Sequence, residues 1–123
     1  MKVLGIDHIQ IAAPPGGEDA ARAFYRDLLG LVELAKPPLL AVRGGAWFEC
    51  GHQQIHVGIE PGFRAALKAH PALLVSGLAD LEEALESAGY EIRPSEDLPG
   101  RRRVFVSDPF GNRIELIEVE RRP

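Results

Sequence analysis

The chain has 123 residues, 46% hydrophobic and 26% charged, a length and balance that allow one soluble domain with its own core. A formal net charge of −4 argues against nucleic-acid binding, which needs a basic face to displace counterions. The lone cysteine, Cys50, rules out an intramolecular disulfide, and no apolar stretch reaches the roughly 18 residues of a membrane span, so a reducing, cytoplasmic setting without membrane partners is expected.

In chain order, the opening MKVLGIDHIQ lacks the sections of a signal peptide. Gly5-Ile6-Asp7-His8-Ile9-Gln10-Ile11-Ala12 is a short run rich in β-branched residues and predicts a strand. Pro14-Pro15-Gly16-Gly17 ends it, because two prolines remove donors and two glycines free the backbone. Residues 18–29 open with acids, continue with good helix formers, and space Ala21, Phe24, Leu28 and Leu29 along one buried helix face. Gly30 suits the left-handed position that closes such a helix. Strands are expected at 31–34, 40–43, 46–50 and 54–59, with turns at Gly44-Gly45 and Gly51-His52. Residues 61–69 have a helical look and join this half to the next. The second half repeats the order: a strand at 72–75, a helix at 79–88 closed by Gly89, and strands at 90–93 and 103–106. The turn Asp108-Pro109-Phe110-Gly111-Asn112 then leads into a last strand at 113–119.

Each half therefore reads β-α-β-β-β, and the helix-closing glycines give the two copies a common origin. His56 follows Gly30 by 26 residues, and Glu115 follows Gly89 by 26. His8 precedes Gly30 by 22 and His70 precedes Gly89 by 19, a difference of three that the Pro-Pro-Gly-Gly loop absorbs. His8 and His70 thus occupy one equivalent position, and His56 and Glu115 another. Side chains alternate between faces along a strand. Ile9, Ile11 and Ala13 share a packing face, as do Ile55, Val57 and Ile59, which leaves His8, Gln10, Gln54, His56 and Glu60 opposite. Ile114 and Leu116 likewise lie opposite Glu115. A half-barrel curled about that second face would gather His8, His56, His70 and Glu115. Three imidazoles and a carboxylate suit a divalent ion of Fe, Mn, Ni, Co or Zn.

Around that set, Gln10 and Gln54 share the ligand-side parity and are candidates for substrate contact, as are Arg103 and Phe105 on a later strand. Trp47 and Phe48 fall on opposite faces of one strand, with core packing the expected role. Cys50 reads as a small apolar residue, because no base is placed beside it by sequence.

These residues resemble the vicinal oxygen chelate superfamily, which includes glyoxalase I, extradiol dioxygenases, fosfomycin-resistance enzymes and bleomycin-resistance proteins. The likeness is carried by residues 7–12, 23–31 and 70–75, and by Asp108-Pro109-Phe110-Gly111-Asn112-Arg113-Ile114-Glu115-Leu116. It spans nearly the whole chain. The resemblance implies an α+β fold of two β-α-β-β-β modules forming a curved, half-barrel-like mixed sheet around a central pocket. One glyoxalase-like domain over residues 1–123 is expected, with module one at about 4–60 and module two at about 70–120. It implies a homodimer, and metal ligands at His8, His56, His70 and Glu115. His56 stands where glyoxalase I has a carboxylate.

The function expected is that of a metal-dependent small-molecule enzyme of the glyoxalase or dioxygenase type. The metal would chelate neighbouring oxygens of the substrate as a Lewis acid. Glu115 would serve as ligand and catalytic base in lyase chemistry, whereas Fe(II) would support ring-cleaving oxygenation. Two alternatives stand beside it. One is a metal-free drug- or metabolite-binding protein of the bleomycin-resistance type. The other is a fosfomycin-resistance-like thiol transferase using His8, His70 and Glu115, with Arg101, Arg102 or Arg103 on a phosphonate.

Overall fold

In the computed structural model, which describes residues 1–95 and 99–119, each half of the sequence repeat builds its own four-stranded sheet. The halves form two units, Met1–Arg64 and Ala65–Pro123. The expected end of module two, at 120, lies outside the described residues.

The first unit runs β1 (His8–Ala13), α1 (Glu18–Ala21), β2 (Val32–Leu34), α2 (Pro38–Ala41), β3 (Ala46–Cys50) and β4 (Gln53–Ile59). Its strand order is β1-β4-β3-β2, with β1 parallel to β4 and the other pairs antiparallel. Beyond α1 the helix continues over Arg22–Leu28 with wider, π-type turns. Leu29 N–H donates to Phe24 O at 2.9 Å, a five-residue step, and Gly30 closes the helix at φ +79°. Of the expected face, Ala21 and Phe24 are fully enclosed while Leu28 and Leu29 are only half-buried; Tyr25, which was not expected there, is fully enclosed and lies 5.7 Å from Phe48 between ring centroids. Phe48, Ile55 and Val57 supply the sheet side of this core. Enclosing each aromatic ring contributes roughly 1.5–3 kcal/mol.

The expected strand at 40–43 is not formed. Pro37 and Pro38 fix their own φ and start a helical turn, with Pro38 at the first helical position, where its missing N–H costs nothing. The helical look of 61–69 also fails: that stretch is turn and irregular chain, begun by Pro61 and by Gly62 at φ +71°.

The second unit runs β5 (Ala72–Val75), α3 (Leu78–Ser87), β6 (Arg93–Ser95), β7 (Arg103–Ser107) and β8 (Arg113–Glu118), ordered β5-β8-β7-β6. Here β5 is parallel to β8 and the other pairs are antiparallel. The strand expected at 90–93 starts only at Arg93, because residues 90–92 lead out of the helix cap at Gly89, φ +92°. Pro71 falls just before an edge strand, where it costs no ladder bond, and its carbonyl accepts from Glu115 N–H at 3.0 Å. Leu78, Leu85, Val104, Val106, Ile114 and Leu116 form the buried core. The turn before β8 is pinned by Asp108, whose carboxylate accepts from the N–H groups of Phe110 and Asn112 and from the Asn112 amide, at 2.8–2.9 Å.

The fold is therefore two modules with open, curved mixed sheets, each with β1 and β4, or β5 and β8, as its parallel pair. Among the described residues no helix is long and apolar enough to cross a membrane.

Candidate functional site

The strand registers make the sequence arithmetic physical. His56 lies between Gln10 on β1 and Trp47 on β3, while Glu115 lies between Ala72 on β5 and Phe105 on β7. His8 and His70 each stand two residues before the β1 or β5 partner, so the two pairs occupy matching places in their own sheets.

In the first unit His8 and His56 come together. Their rings stack with centroids 4.1 Å apart and planes 18° apart, and Trp47 stacks on the other side of His56 at 4.0 Å and 4°. This column encloses His56, which is only 6% exposed. Burial lowers the His56 pKa, and the neighbouring His8 lowers it further, so a neutral imidazole is favoured. His8 donates from Nδ1 to the Asp7 carboxylate at 2.9 Å, which leaves its Nε2 to meet another partner. His56 instead meets Gln54 Oε1 through Nε2 at 2.8 Å, which leaves Nδ1. A cavity of about 610 Å³ opens here, with Gln10, Lys36, Arg43 and Gln54 also in its wall.

In the second unit His70 and Glu115 come together. His70 Nδ1 lies 2.8 Å from Lys68 O, and a carbonyl can only accept, so Nδ1 carries the hydrogen. Its Nε2 lies 2.8 Å from Glu115 Oε1. A proton held between the two closes this contact, and the same two atoms lie as close as neighbouring donors to one ion would. Arg103 donates to the other carboxylate oxygen, Oε2, at 3.0 Å. Burial is the largest influence on the Glu115 carboxyl and pushes it up. The hydrogen bonds from His70 and Arg103 together outweigh burial and hold the pKa below the usual carboxylate value. Phe105 is buried beside them, 5.5 Å from His70 between ring centroids.

Within either unit, among the described residues, no third His, Cys, Asp or Glu joins these pairs to form a metal cluster. The donors themselves suit a metal. His8 and His70 each have Nδ1 fixed on an oxygen, the outer contact that orients a ligating imidazole and raises its basicity. Cys50 is half-buried and its thiol is pushed up by that burial, in keeping with a packing role.

The two depressed pKa values predict a stability profile. The unfolded chain holds protons that folded His56 and Glu115 have already released, so stability rises with pH across both windows. The His56 contribution is present above about 6.5 and the Glu115 contribution above about 4.3, and each is lost as pH falls through the lower folded value. Urea midpoints of chelator-treated protein should fall in two stages on acidification, and His56→Gln should remove only the upper one. A midpoint indifferent to pH between about 7 and 4 would contradict both shifts.

The sequence profile of the Glyoxalase/Bleomycin resistance protein/Dioxygenase superfamily matches residues 5–116. The chain belongs to this superfamily. A protein assigned to the glyoxalase family from Bacillus anthracis has a structure 46% identical in sequence, with a TM-score of 0.92 and 98% of each chain covered. The fold alone is shared with the fosfomycin resistance protein FosX from Listeria monocytogenes, at 15% identity and a TM-score of 0.78, covering 97% of this chain and 96% of that one. It is also shared with lactoylglutathione lyase from Agrobacterium tumefaciens, at 22% identity and a TM-score of 0.63, covering 89% and 91%. Comparison with curated proteins finds no match.

Three features of this glyoxalase-superfamily site escaped the sequence reading. Trp47 was expected in the core but instead caps His56. Lys36, which donates to Gly44 O, reaches the cavity from a loop that carries no periodic signal. Arg113 stands two residues before Glu115 on the same face, where the parity rule that placed Gln54 beside His56 would have found it.

Proposed function

We propose that the chain is a metal-dependent small-molecule enzyme of the glyoxalase or dioxygenase type, with His8, His56, His70 and Glu115 as donors to a divalent ion. The observation that carries this reading is the contact of His70 with Glu115. With Nδ1 committed to Lys68 O, His70 Nε2 lies 2.8 Å from a carboxylate oxygen, so an imidazole nitrogen and a carboxylate converge as neighbouring donors to one ion do. When bound, the metal would supply Lewis acidity toward neighbouring oxygens of a substrate.

The chain's own residues do the rest. Asp7 and Lys68 O hold the tautomers of His8 and His70. Arg103 keeps Glu115 ionised, ready to accept a proton from a substrate carbon or oxygen. Trp47 covers one face of the His56 ring and shields it from water. Gln10 and Gln54 offer amides to a substrate in the cavity. A cytoplasmic homodimer is the assembly this reading takes, supported by Ile9 and Leu74, exposed on the edge strands β1 and β5.

Protein stripped with a chelator and titrated with Mn, Fe(II), Co, Ni or Zn should gain thermal stability, because the ion binds the folded state and not the unfolded one. At about 100 times the dissociation constant the gain is roughly 2.7 kcal/mol. No shift with any of the five metals would remove the metal from the account. Stabilisation by organic ligands unaffected by chelator would point to a metal-free binding protein instead.

A further inference from the structure

The sheet face that carries Glu115 also carries three arginines. Arg93 stands opposite Phe105, Phe105 opposite Glu115, and Ser107 opposite Arg113, so all five share one face with Arg103. Arg103 is committed to Glu115. Among the described residues neither Arg93 nor Arg113 forms an ion pair with a carboxylate. In a chain of net charge −4, a face with three guanidinium groups and one carboxylate is a local reversal of sign.

A ring contact positions Arg113, and a hydrogen bond positions Arg93. The Arg113 guanidinium carbon sits 4.1 Å from the centre of the Phe105 ring, a position that leaves its N–H donors for other partners. Arg93 Nη2 donates to Ser107 Oγ at 3.3 Å, which leaves the other Arg93 donors and the Ser107 hydroxyl proton. Among the described residues, side-chain donors thus crowd beside Glu115 with few acceptors to meet them. Such an arrangement matches the several lone pairs of an oxyanion.

We propose that Arg93, Ser107 and Arg113 form a subsite for an oxyanionic group, carboxylate or phosphoryl, so that the substrate is a small organic anion. The inference rests on the preceding reading only in taking the Glu115 face as the one that meets substrate. Anion binding itself needs no metal.

The test titrates inorganic phosphate and, separately, propionate into chelator-treated protein at low ionic strength, followed by calorimetry. Saturable binding is expected for at least one of the two, and the tighter one identifies the group as phosphoryl or carboxylate. Arg113→Gln and Arg93→Gln should each weaken it roughly tenfold, the loss of one charge-assisted contact. Arg64→Gln removes the same charge from an exposed position that is not on β6, β7 or β8 and should leave binding unchanged. Arg93 is exposed, so its variant stays informative even if Arg113→Gln unfolds. Absence of saturable binding by either anion, or equal binding by the Arg93 variant and wild type, would overturn the subsite. Protein that binds phosphate but takes up no metal keeps the subsite and loses the metal; the converse result does the reverse.

Discussion

Gly45→Ala should be among the most damaging single-methyl additions in the chain, lowering stability by on the order of 4 kcal/mol or more. Gly45 has φ +86°, and a Cβ built there would lie 2.2 Å from the backbone oxygen of Val57 and 3.3 Å from its carbonyl carbon. The obstacle is backbone, not the end of a flexible side chain. It belongs to β4, the strand that carries His56 and is paired on both sides. Relief would require β3 and β4 to separate where Ala46 pairs with Val57. Gly30→Ala is the control, because Gly30 also has positive φ, +79°, but nothing within 4 Å of the added carbon. It should cost only the backbone term of about 1–2 kcal/mol. Chemical denaturation of the two variants measures the difference, and equal losses would show that the close approach to Val57 contributes nothing.

Glu115→Ala should be nearly as costly, at about 3 kcal/mol, and should also remove one of the proposed metal donors. The Glu115 side chain is 8% exposed and receives hydrogen bonds on both oxygens, from His70 and from Arg103. Truncation leaves the Arg103 guanidinium, on a side chain only 18% exposed, without that carboxylate. The loss should therefore exceed that of removing one neutral hydrogen bond, about 1 kcal/mol. Glu115→Gln keeps the shape and an acceptor oxygen, and it should recover part of the stability while still weakening metal binding. A Glu115→Ala variant as stable as wild type would mean that the pairing with His70 and Arg103 is not a structural contact.

Much of this arrangement was legible in the sequence for a physical reason. Strand parity and helix closure are local rules, and the two 26-residue intervals from Gly30 to His56 and from Gly89 to Glu115 survive in the registers, where His56 and Glu115 take matching places. The errors occurred where a local rule competed with another. Leu39-Leu40-Ala41-Val42 is apolar enough for a strand, but Pro37-Pro38 before it and Gly44-Gly45 after it leave room only for one helical turn. At residues 61–69 the alanines suggested a helix, but Pro61 and Gly62, at φ +71°, begin the stretch as a turn. Trp47 was the more instructive miss. Alternation put it on the face opposite Phe48, but only the parallel stacking at 4.0 Å shows that it seats against His56. Hydrogen-bond roles were beyond reach altogether. That Lys68 O fixes the His70 tautomer depends on chain bending before β5, and composition carries no trace of it.

Elemental analysis of the purified chain after reconstitution, run beside His8→Ala and Glu115→Ala, tests the metal assignment most directly. The wild type should carry about one divalent ion per chain, and either substitution should reduce that occupancy sharply, because each deletes a donor that a four-ligand site cannot replace. A wild-type chain that holds no divalent ion after reconstitution would contradict it, as would variants that retain the wild-type metal content.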